Sequence, residues 1–496
     1  MRRKFFQSVF MTMTAAAVMG LASCSNENDP TGDPGATPQG VPTGMRLVLD
    51  MGGNSMTRAN NEFQDGNATD AERTIKDLTV FIYGDNGVYQ SYKTIDFAQL
   101  VDGKEENTYS TGLIETTTGT KTIFVGANMD KAMINAVIAK STDGLKNTGF
   151  NKELSTITDQ TGFVMFSRKG VTQKLLEMIP DPNDPVNNDP TLPTENTIEI
   201  SIERLAAKIA VGMTKDLDKD TQLGAAGSIT DLGFFVDNIN KMYYLADDDD
   251  DHNDANMYVK DYKEADFEFV PDFSADTYKS IKAGDPYVAA NGGSWGIDYA
   301  SENLTTDKII KGVTRIVVRG VFTPKQSYQV TGTGKPGTGD DPADPDYEAP
   351  DPYVFTLTDD ALTPGATYIQ LEFPEAGGFA FFPGATTDPQ LKAFIAEKKG
   401  NNMTADQVKD EMLAEYKKTY TSGLNYWWVT VKDNQGDMKR NDYYKVDITS
   451  IYAPGRPDGE FTDKDENKEI GKDTNIDVMI TVMPWNLVEF GADLKP

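Results

Sequence analysis

Short segments in which apolar and polar residues alternate recur through most of this 496-residue chain, and they restrict the folds open to it. A period of two places successive side chains on opposite faces, as in a β-strand with one buried side. Many such strands, separated by turn residues, predict an all-β protein built from stacked β-sandwiches. The predicted strand segments are 45–51, 74–92 (two strands around a turn at 84–87), 121–129, 162–168, 196–213, 229–238, 314–325, 367–374, 425–433, 443–451 and 475–485.

Helical periodicity is confined to two stretches of the sequence. The first is 130–140, and the second is 388–420, which Gly400 interrupts. A separate, non-helical stretch, 331–352, is rich in glycine, proline and aspartate and has no hydrophobic pattern. Its composition predicts a surface loop inside the second domain.

The N-terminal residues have the features of an export signal. Basic residues at positions 2–4 precede an apolar stretch that ends in Leu21-Ala22-Ser23-Cys24, which resembles the lipobox of bacterial lipoproteins. We expect residues 1–24 to be a lipoprotein signal peptide with Cys24 acylated, and an ordinary cleaved signal peptide is the alternative. Cys24 is the only cysteine, so lipidation would leave no free thiol. Residues 25–44 have the composition of a flexible spacer.

Composition argues against catalysis and against nucleic-acid binding. A net charge of −30 repels nucleic acid and anionic lipid. The only histidine, His252, lies in an acidic run without a nucleophile elbow, and no glycine-rich phosphate loop is evident. We therefore expect no enzyme activity, no cofactor and no metal site. Asp247–Asp251 could supply oxygen ligands to calcium, but the spacing fits no defined loop, and a solvated charge run is the alternative.

Two adjacent tryptophans, Trp427 and Trp428, could flank a sugar-binding platform. Adjacent aromatic residues in a strand more often place one ring in the core, and we favour that interpretation because successive side chains point to opposite faces. A surface glycan-binding lipoprotein of β-sandwich type is the alternative function. It would use an exposed aromatic platform near Trp427.

The strand predicted at 45–51 is followed by a polar segment that contains a lone arginine. Met45, Leu47, Leu49 and Met51 alternate along this strand and predict one buried face. Arg58 then lies in a glycine- and asparagine-rich run that is typical of an open loop. A trypsin-like protease could reach an arginine in such a loop.

Five stretches together carry a resemblance to one known family. The most specific pieces are ERLAAK at 203–208 and RNDYY at 440–444. With the lipobox and the terminal Pro484-Trp485, they resemble the fimbrillin family of Bacteroidales bacteria, the lipoprotein precursors of type V pili. The resembling stretches, in order along the chain, are AERTIKDLTVFIYGDNG (71–87), KTIFVGANM (121–129), IERLAAKIAV (202–211), RNDYYKVDITSI (440–451) and NIDVMITVMPW (475–485).

The resemblance implies two tandem transthyretin-like β-sandwich domains behind a propeptide. We expect the propeptide, which holds the spacer and the removable first strand, at 25–58, the N-terminal domain at 59–213 and the C-terminal domain at 214–496. These boundaries place the first sandwich directly after the loop that contains the lone arginine.

In this family an outer-surface protease, arginine-specific in its well-known members, cuts a loop after the first strand. The segment Met45–Met51 matches the removable strand, and the bond between Arg58 and Ala59 matches the processing site. Arg73 is the competing arginine, but it abuts the next predicted strand and should be less accessible. We therefore favour Arg58.

Removal of the first strand would leave an apolar groove, which the C-terminal strand of a neighbouring subunit fills. A sheet that lacks a strand captures one by β-augmentation, and a donor and an acceptor on different faces give a head-to-tail filament. The alternative is that 475–485 is an internal strand of the second domain. The candidate donor residues are Ile476, Val478, Ile480, Val482, Trp485, Leu487 and Phe490.

The resemblance therefore implies a structural subunit of a surface fimbria that supports adhesion and biofilm formation. We favour a subunit of the fimbrial shaft. Expected partners are copies of the chain itself, accessory anchor and tip fimbrial subunits, and the processing protease. The precursor would be an outer-membrane lipoprotein that contacts the membrane only through the lipid on Cys24. Cleavage at Arg58 would release it into the extracellular fimbrium.

Overall fold

A computed structural model describes the chain in segments separated by gaps. Several residues singled out in the sequence lie outside these segments, namely Cys24, Met51, Arg58, Ala59, Asp248–Asp251, His252, Trp485, Leu487 and Phe490. The described residues are 40–50, 69–102, 108–180, 190–214, 217, 226–247, 263–284, 295–304, 310–339, 342–343, 345–359, 362–373, 378–400, 403–430, 437–459 and 476–484.

Most of the N-terminal strands form two sheets that face each other, while β11 and β12 pair only with each other and β8 lies in neither sheet. The strands are β1 (Pro42–Asp50), β2 (Asp77–Tyr83), β3 (Tyr89–Asp96), β4 (Val101–Asp102), β5 (Thr108–Ser110), β6 (Ile114–Thr117), β7 (Gly119–Ala127), β8 (Phe150–Asn151), β9 (Met165–Phe166), β10 (Val171–Leu175), β11 (Ile179–Pro180), β12 (Pro190–Thr191), β13 (Thr197–Ser201) and β14 (Glu203–Arg204). The first sheet has the order β13-β1-β5-β4, with β6 also paired to β1. The second has the order β14-β9-β7-β2-β3, with β10 paired to β7.

An apolar core fills the space between these two sheets. It forms because alternation turns every second side chain of β1, β13, β2 and β7 inward. The opposite face of the second sheet is apolar as well, so this sheet is buried on both sides. The inward residues of the four strands are Met45, Leu47, Leu49, Ile198, Ile200, Leu78, Val80, Ile82, Ile123, Val125 and Ala127.

Helices are short and few in the described segments. The helix Lys131–Ile138 begins where Asp130 accepts a hydrogen bond from the Met133 amide, at 2.6 Å, and it covers the outer face of the second sheet through Met133 and Val137. In chain order the α-helices are α1 (Asp70–Arg73), α2 (Lys131–Ile138), α3 (Thr142–Asn147), α4 (Leu154–Ile157), α5 (Asp388–Lys399) and α6 (Asp410–Tyr416), and the 3₁₀ turns are Phe97–Gln99, Thr194–Asn196, Glu264–Asp266, Ile310–Gly312, Ala405–Gln407 and Thr421–Gly423.

The C-terminal part of the chain contains the strands β15 (Ala206–Gly212), β16 (Gly227–Asp237), β17 (Ile239–Asn240), β18 (Met242–Tyr243), β19 (Phe267–Glu268), β20 (Lys279–Ser280), β21 (Gly296–Ser301), β22 (Arg315–Pro324), β23 (Ser327–Thr331), β24 (Val354–Thr358), β25 (Tyr368–Phe373), β26 (Gly378–Pro383), β27 (Lys417–Tyr420), β28 (Leu424–Val429), β29 (Asp442–Ile451) and β30 (Ile476–Pro484). Eight of them build a second sandwich, with one sheet in the order β21-β15-β29-β30 and the other in the order β20-β16-β22-β28. Its core includes Val211, Val236, Val318 and Val446, one from each of four central strands.

Residues 325–423 form an insertion between β22 and β28, which are antiparallel neighbours in one sheet. The insertion holds the ribbon β23–β24, the sheet β26-β25-β27 and helices α5 and α6, and it has an apolar core of its own around Leu371, Phe382 and Phe394. Stacked rings of Tyr368 and Tyr420, with centroids 4.6 Å apart, attach it to the core of the second sandwich.

The two motifs ERLAAK and RNDYY meet where the two sandwiches join. Their strands, β15 and β29, run side by side in parallel. Arg440 Nε lies 2.7 Å from Glu203 Oε1, and the Asn441 amide donates to the Ala206 carbonyl at 2.9 Å. The backbone amide of Arg204 donates to Asn441 Oδ1 at 3.4 Å.

A buried ion pair extends this joint to the helix α1 of the N-terminal sandwich. Lys208 Nζ lies 3.0 Å from Glu72 Oε2, and neither side chain is exposed. The Tyr299 hydroxyl donates to the other Glu72 oxygen, and burial together with the nearby Glu72 carboxylate raises the pKa of Tyr299. Arg204 Nε donates to the Glu72 carbonyl at 3.0 Å. The motifs therefore connect both sandwiches through buried charge.

The expected all-β fold of tandem β-sandwiches is confirmed, but the expected boundary after Met213 does not follow the sheets. Strand β15 pairs with β21 and β29 of the second sandwich. We therefore propose a boundary at Leu205. The predicted strand at 162–168 is shorter than expected, because only Met165–Phe166 pairs as a strand.

Two other sequence expectations need correction. The stretch 331–352 is exposed as expected, but it is partly paired, because the isolated bridges Lys335 to Asp351 and Thr338 to Glu348 prolong the ribbon β23–β24. The helical stretch predicted at 388–420 is interrupted at Gly400 as expected, which gives the two helices α5 and α6, but its last residues form β27, which pairs with β25.

We predict that Lys208→Met destabilises the protein by about 3–5 kcal/mol, because it leaves the Glu72 carboxylate buried without its cation. The double variant Lys208→Met/Glu72→Gln should recover much of this loss. Urea unfolding measures both. The exposed pair of Lys392 and Asp410, 2.6 Å apart, provides a control, since Lys392→Met should cost about 1 kcal/mol or less. Equal losses for the two lysine variants would contradict the joint described here.

Candidate functional site

Strand β1 lies inside its sheet, with a neighbour along each edge. On one edge it runs parallel to β13, from Arg46 opposite Thr197 to Asp50 opposite Ser201. On the other edge it is antiparallel to β6 and then to β5. We call the space that β1 occupies between β13, β5 and β6 the slot.

The inward side chains of β1 are completely buried in the slot. Met45, Leu47 and Leu49 are 0% exposed and pack in the core of the N-terminal sandwich. Arg46, on the opposite face, is exposed, and Val48 is partly exposed. The period-two pattern read from the sequence therefore gave the correct buried face, although Met51 lies outside the described residues.

Asn196, which the sequence analysis did not single out, fastens the first half of β1. Its side chain is buried, and Nδ2 donates to the Gly44 carbonyl at 2.8 Å and to Thr43 Oγ1 at 3.3 Å. Its Oδ1 accepts from the Leu176 amide at 2.8 Å, and Nδ2 also donates to the Leu176 carbonyl at 2.9 Å. In the sequence it is only a polar residue at the start of the strand segment predicted at 196–213.

Thr111 binds the middle of β1 from the other edge. It lies between the end of β5 and the start of β6, where regular pairing with β1 is interrupted. The Thr111 amide donates to the Leu47 carbonyl at 2.9 Å, and Thr111 Oγ1 accepts from the Leu47 amide at 3.0 Å. One threonine thus satisfies both main-chain groups of Leu47.

The chain is anchored again after the segment that contains Arg58 and Ala59, neither of which is among the described residues. The Thr69 amide donates to Glu72 Oε2 at 2.8 Å and the Glu72 amide donates to Thr69 Oγ1 at 3.3 Å, so the two residues form a capping box at α1. Glu72 also enters the buried ion pair with Lys208. The segment 51–68 is therefore tethered at both ends by buried structure.

The C-terminal strand β30 pairs with β29, and this is its one neighbour among the strands that the structure describes. Ile476 is 2% exposed, Val478 and Ile480 are partly buried against the core, and Met479 on the other face is 57% exposed. The strand is thus an edge strand with an apolar inner face. The side chain of Val482 is not described, and the remaining candidate donor residues lie outside the described segments.

The aromatic platform considered from the sequence is not present at Trp427. Trp427 is 2% exposed in the core between the sheets, and its Nε1 donates to the Ala453 carbonyl at 3.1 Å. Trp428 is 7% exposed on the opposite face of β28, where the Arg456 guanidinium lies 4.5 Å from its ring centroid. Both rings are therefore in the interior, where the sequence predicted one.

Within the described segments, no group of three or more histidine, cysteine, aspartate or glutamate residues is placed to hold a metal ion. Across these same segments, no helix is long and apolar enough to cross a membrane.

Two family models match the chain at its ends. One, described as major fimbrial subunit protein (FimA), matches residues 45–204, from β1 to β14. The other, described as major fimbrial subunit protein type IV, fimbrillin, C-terminal, matches residues 418–489 and includes β28, β29 and β30. The chain belongs to the fimbrillin family. The resemblance found in the sequence is confirmed.

This fimbrillin is similar in structure to several solved proteins at low sequence identity. A proposed cell adhesion protein from Parabacteroides distasonis is 13% identical, with 90% of this chain and 100% of that chain covered and a TM-score of 0.46. A fimbrilin from Porphyromonas gingivalis W83 is 14% identical, with 90% of this chain and 98% of that chain covered and a TM-score of 0.42. The tip fimbrial protein Mfa3 of P. gingivalis is 10% identical, with 89% of this chain and 100% of that chain covered and a TM-score of 0.36. A search of curated proteins finds no match.

As a fimbrillin, the protein is a structural subunit of a cell-surface fimbria, and its partners are other fimbrial subunits. Neither family model extends over residues 205–417, which include most of the insertion between β22 and β28.

We predict that Leu47→Ala destabilises the precursor by about 2–5 kcal/mol, because it leaves a cavity in a fully buried position of β1. Val48→Ala on the opposite face is the matched control and should cost about 1 kcal/mol or less. Urea unfolding of the secreted precursor without residues 1–24 measures both variants. Similar losses for the two would show that β1 does not fill the core as described.

Proposed function

We propose that this fimbrillin is a shaft subunit that polymerises by protease-triggered strand exchange, in support of adhesion and biofilm formation. The observation that carries the proposal is the complete burial of Met45, Leu47 and Leu49 inside the slot. A shaft subunit needs both an acceptor slot and a donor strand. The N-terminal sandwich offers the first, and β30 is the candidate for the second.

The position of β1 favours its replacement by another strand. Each fully buried large apolar side chain contributes roughly 1.5–3 kcal/mol, so loss of β1 removes a large stabilising term. It also leaves main-chain groups on β13, β5 and β6 without partners, and unpaired strand edges readily accept a new strand. An empty slot is therefore a strong acceptor.

The anchoring of α1 supports Arg58 over Arg73 as the processing site. Arg73 is the last residue of α1, and the adjacent Glu72 is held in the buried pair with Lys208. A protease binds its substrate in an extended form, so cleavage at Arg73 requires the removal of Glu72 from this pair. Arg58 precedes Thr69 and Glu72 in the chain, so a cut there leaves the pair of Glu72 and Lys208 in place.

Strand β30 suits the role of donor because, among the strands that the structure describes, it pairs with β29 alone and would have to separate from that strand only. Its inner residues Ile476, Val478 and Ile480 repeat the spacing of Met45, Leu47 and Leu49, and both strands have nine residues. Donor and acceptor belong to different sandwiches, so the contact between copies is head-to-tail and gives a filament.

The proposal includes the route to the surface. The precursor carries a lipid on Cys24 at the outer membrane, and cleavage between Arg58 and Ala59 separates the subunit from that lipid. Release from the membrane and exposure of the slot then follow from one cut, with anchor and tip subunits and the protease as the other partners.

The test uses precursor lacking residues 1–24 and a trace of an arginine-specific protease. We expect a new N-terminus at Ala59 and SDS-resistant ladders with filaments in negative stain. Arg58→Lys should block both with this protease, and a lysine-specific protease should restore both. Arg73→Lys is the matched control and should change neither. Filaments from uncut Arg58→Lys would contradict the processing step.

The donor strand is tested with a pair of variants on adjacent residues of β30. Ile480→Asp places a charge on the inner face and should abolish ladders while cleavage at Arg58 proceeds. Met479→Asp places the same charge on the exposed face and should leave assembly intact. If both variants assemble like the wild type, β30 is not the donor.

A further inference from the structure

Two side chains of the N-terminal sandwich bind the main chain of β1 rather than its side chains. Asn196 donates to the Gly44 carbonyl from the β13 edge at 2.8 Å. Thr111 donates its amide to the Leu47 carbonyl and accepts the Leu47 amide on Oγ1, from the β5–β6 edge. Contacts to main-chain atoms do not depend on the sequence of the strand that makes them.

Both residues are held in position by parts of the sandwich other than β1. The Asn196 amide pairs with the N–H and the carbonyl of Leu176, at 2.8 and 2.9 Å. Thr111 is fixed between β5 and β6, and it is 2% exposed. After β1 departs, each therefore still directs a hydrogen-bonding group into the slot, and a buried group without a partner is costly.

We propose that Asn196 and Thr111 form a main-chain clamp that binds whichever strand fills the slot and fixes its direction. The proposal rests on the strand exchange described under the proposed function. It assigns to these two residues the recognition of the partner subunit's extended backbone, and it gives the incoming strand the direction of β1, parallel to β13.

The direction follows from the two hydrogen bonds that Thr111 forms with a single residue of the strand in the slot. In a strand that runs as β1 does, the carbonyl of that residue accepts from the Thr111 N–H, and its N–H donates to Thr111 Oγ1. Reversal exchanges the two groups, so an N–H would face the Thr111 N–H. Two donors that face each other in a buried site cannot form a hydrogen bond, and the reversed strand is disfavoured.

The clamp also limits the register of the incoming strand. Successive residues turn their N–H and carbonyl groups to opposite edges, so a slip by one residue removes both clamp contacts and turns the apolar side chains outward. A slip by two residues keeps the main-chain pattern. The pockets of Met45, Leu47 and Leu49 must therefore select among registers that differ by two.

The clamp is tested by capture of synthetic nine-residue peptides with the sequence of residues 42–50 on processed subunit. One peptide carries an ester in place of the Leu47 amide, which removes the N–H that Thr111 Oγ1 accepts. We expect the ester peptide to bind about tenfold more weakly than the amide peptide. With Thr111→Val subunit this difference should disappear, and with Thr111→Ser it should remain.

Direction is tested by disulfide trapping, which is clean because removal of residues 1–58 leaves no cysteine. Pro42 lies opposite Thr117 and Val48 lies opposite Ser110. A Pro42→Cys peptide should link to Thr117→Cys subunit, and a Val48→Cys peptide should link to Ser110→Cys subunit. The crossed combinations should not link.

Each result separates the clamp from the strand exchange on which it rests. Equal capture of amide and ester peptides by the wild-type subunit would overturn the clamp alone. Linkage of the crossed cysteine pairs would overturn the assigned direction. Capture of none of the peptides would overturn the strand-exchange proposal, and the clamp with it.

Discussion

When a strand leaves the interior of a sheet, both of its neighbours lose main-chain partners and the core loses its cover. Strand β1 is such a strand, with β13 on one edge and β5 and β6 on the other. Its three inward side chains are fully buried, and Asn196 and Thr111 bind its backbone. The segment that connects it to α1 is anchored at each end by buried structure. These features together make β1 costly to lose without a replacement, as the proposed strand exchange requires.

The joint between the sandwiches gives the family motifs a structural role. ERLAAK and RNDYY do not border the slot but lie where β15, β29 and α1 meet around the pair of Lys208 and Glu72. In a strand-exchanged filament the acceptor and the donor are on different sandwiches, so every connection along the filament crosses this joint. Buried charges whose partners come from both sandwiches favour one relative placement of the two.

The sequence was informative where a local pattern decides the structure. Alternation predicted the buried face of β1 and the strands β22, β29 and β30, because burial of one sheet face requires that period. Asn196 and Thr111 were not predictable, since their role depends on contacts with residues more than 60 positions away. The insertion at 325–423 was also missed, because its strands resemble all others and only the pairing of β22 with β28 reveals it.

In the proposed assembly, the slot passes from β1 to a strand of another copy. Hydrogen–deuterium exchange of the β13 and β6 amides, compared among precursor, processed monomer and filament, tests this most directly. We expect slow exchange in the precursor, fast exchange after processing and slow exchange again in the filament. Filaments in which these amides stay equally protected at all three stages, with the cut β1 peptide still bound, would contradict it.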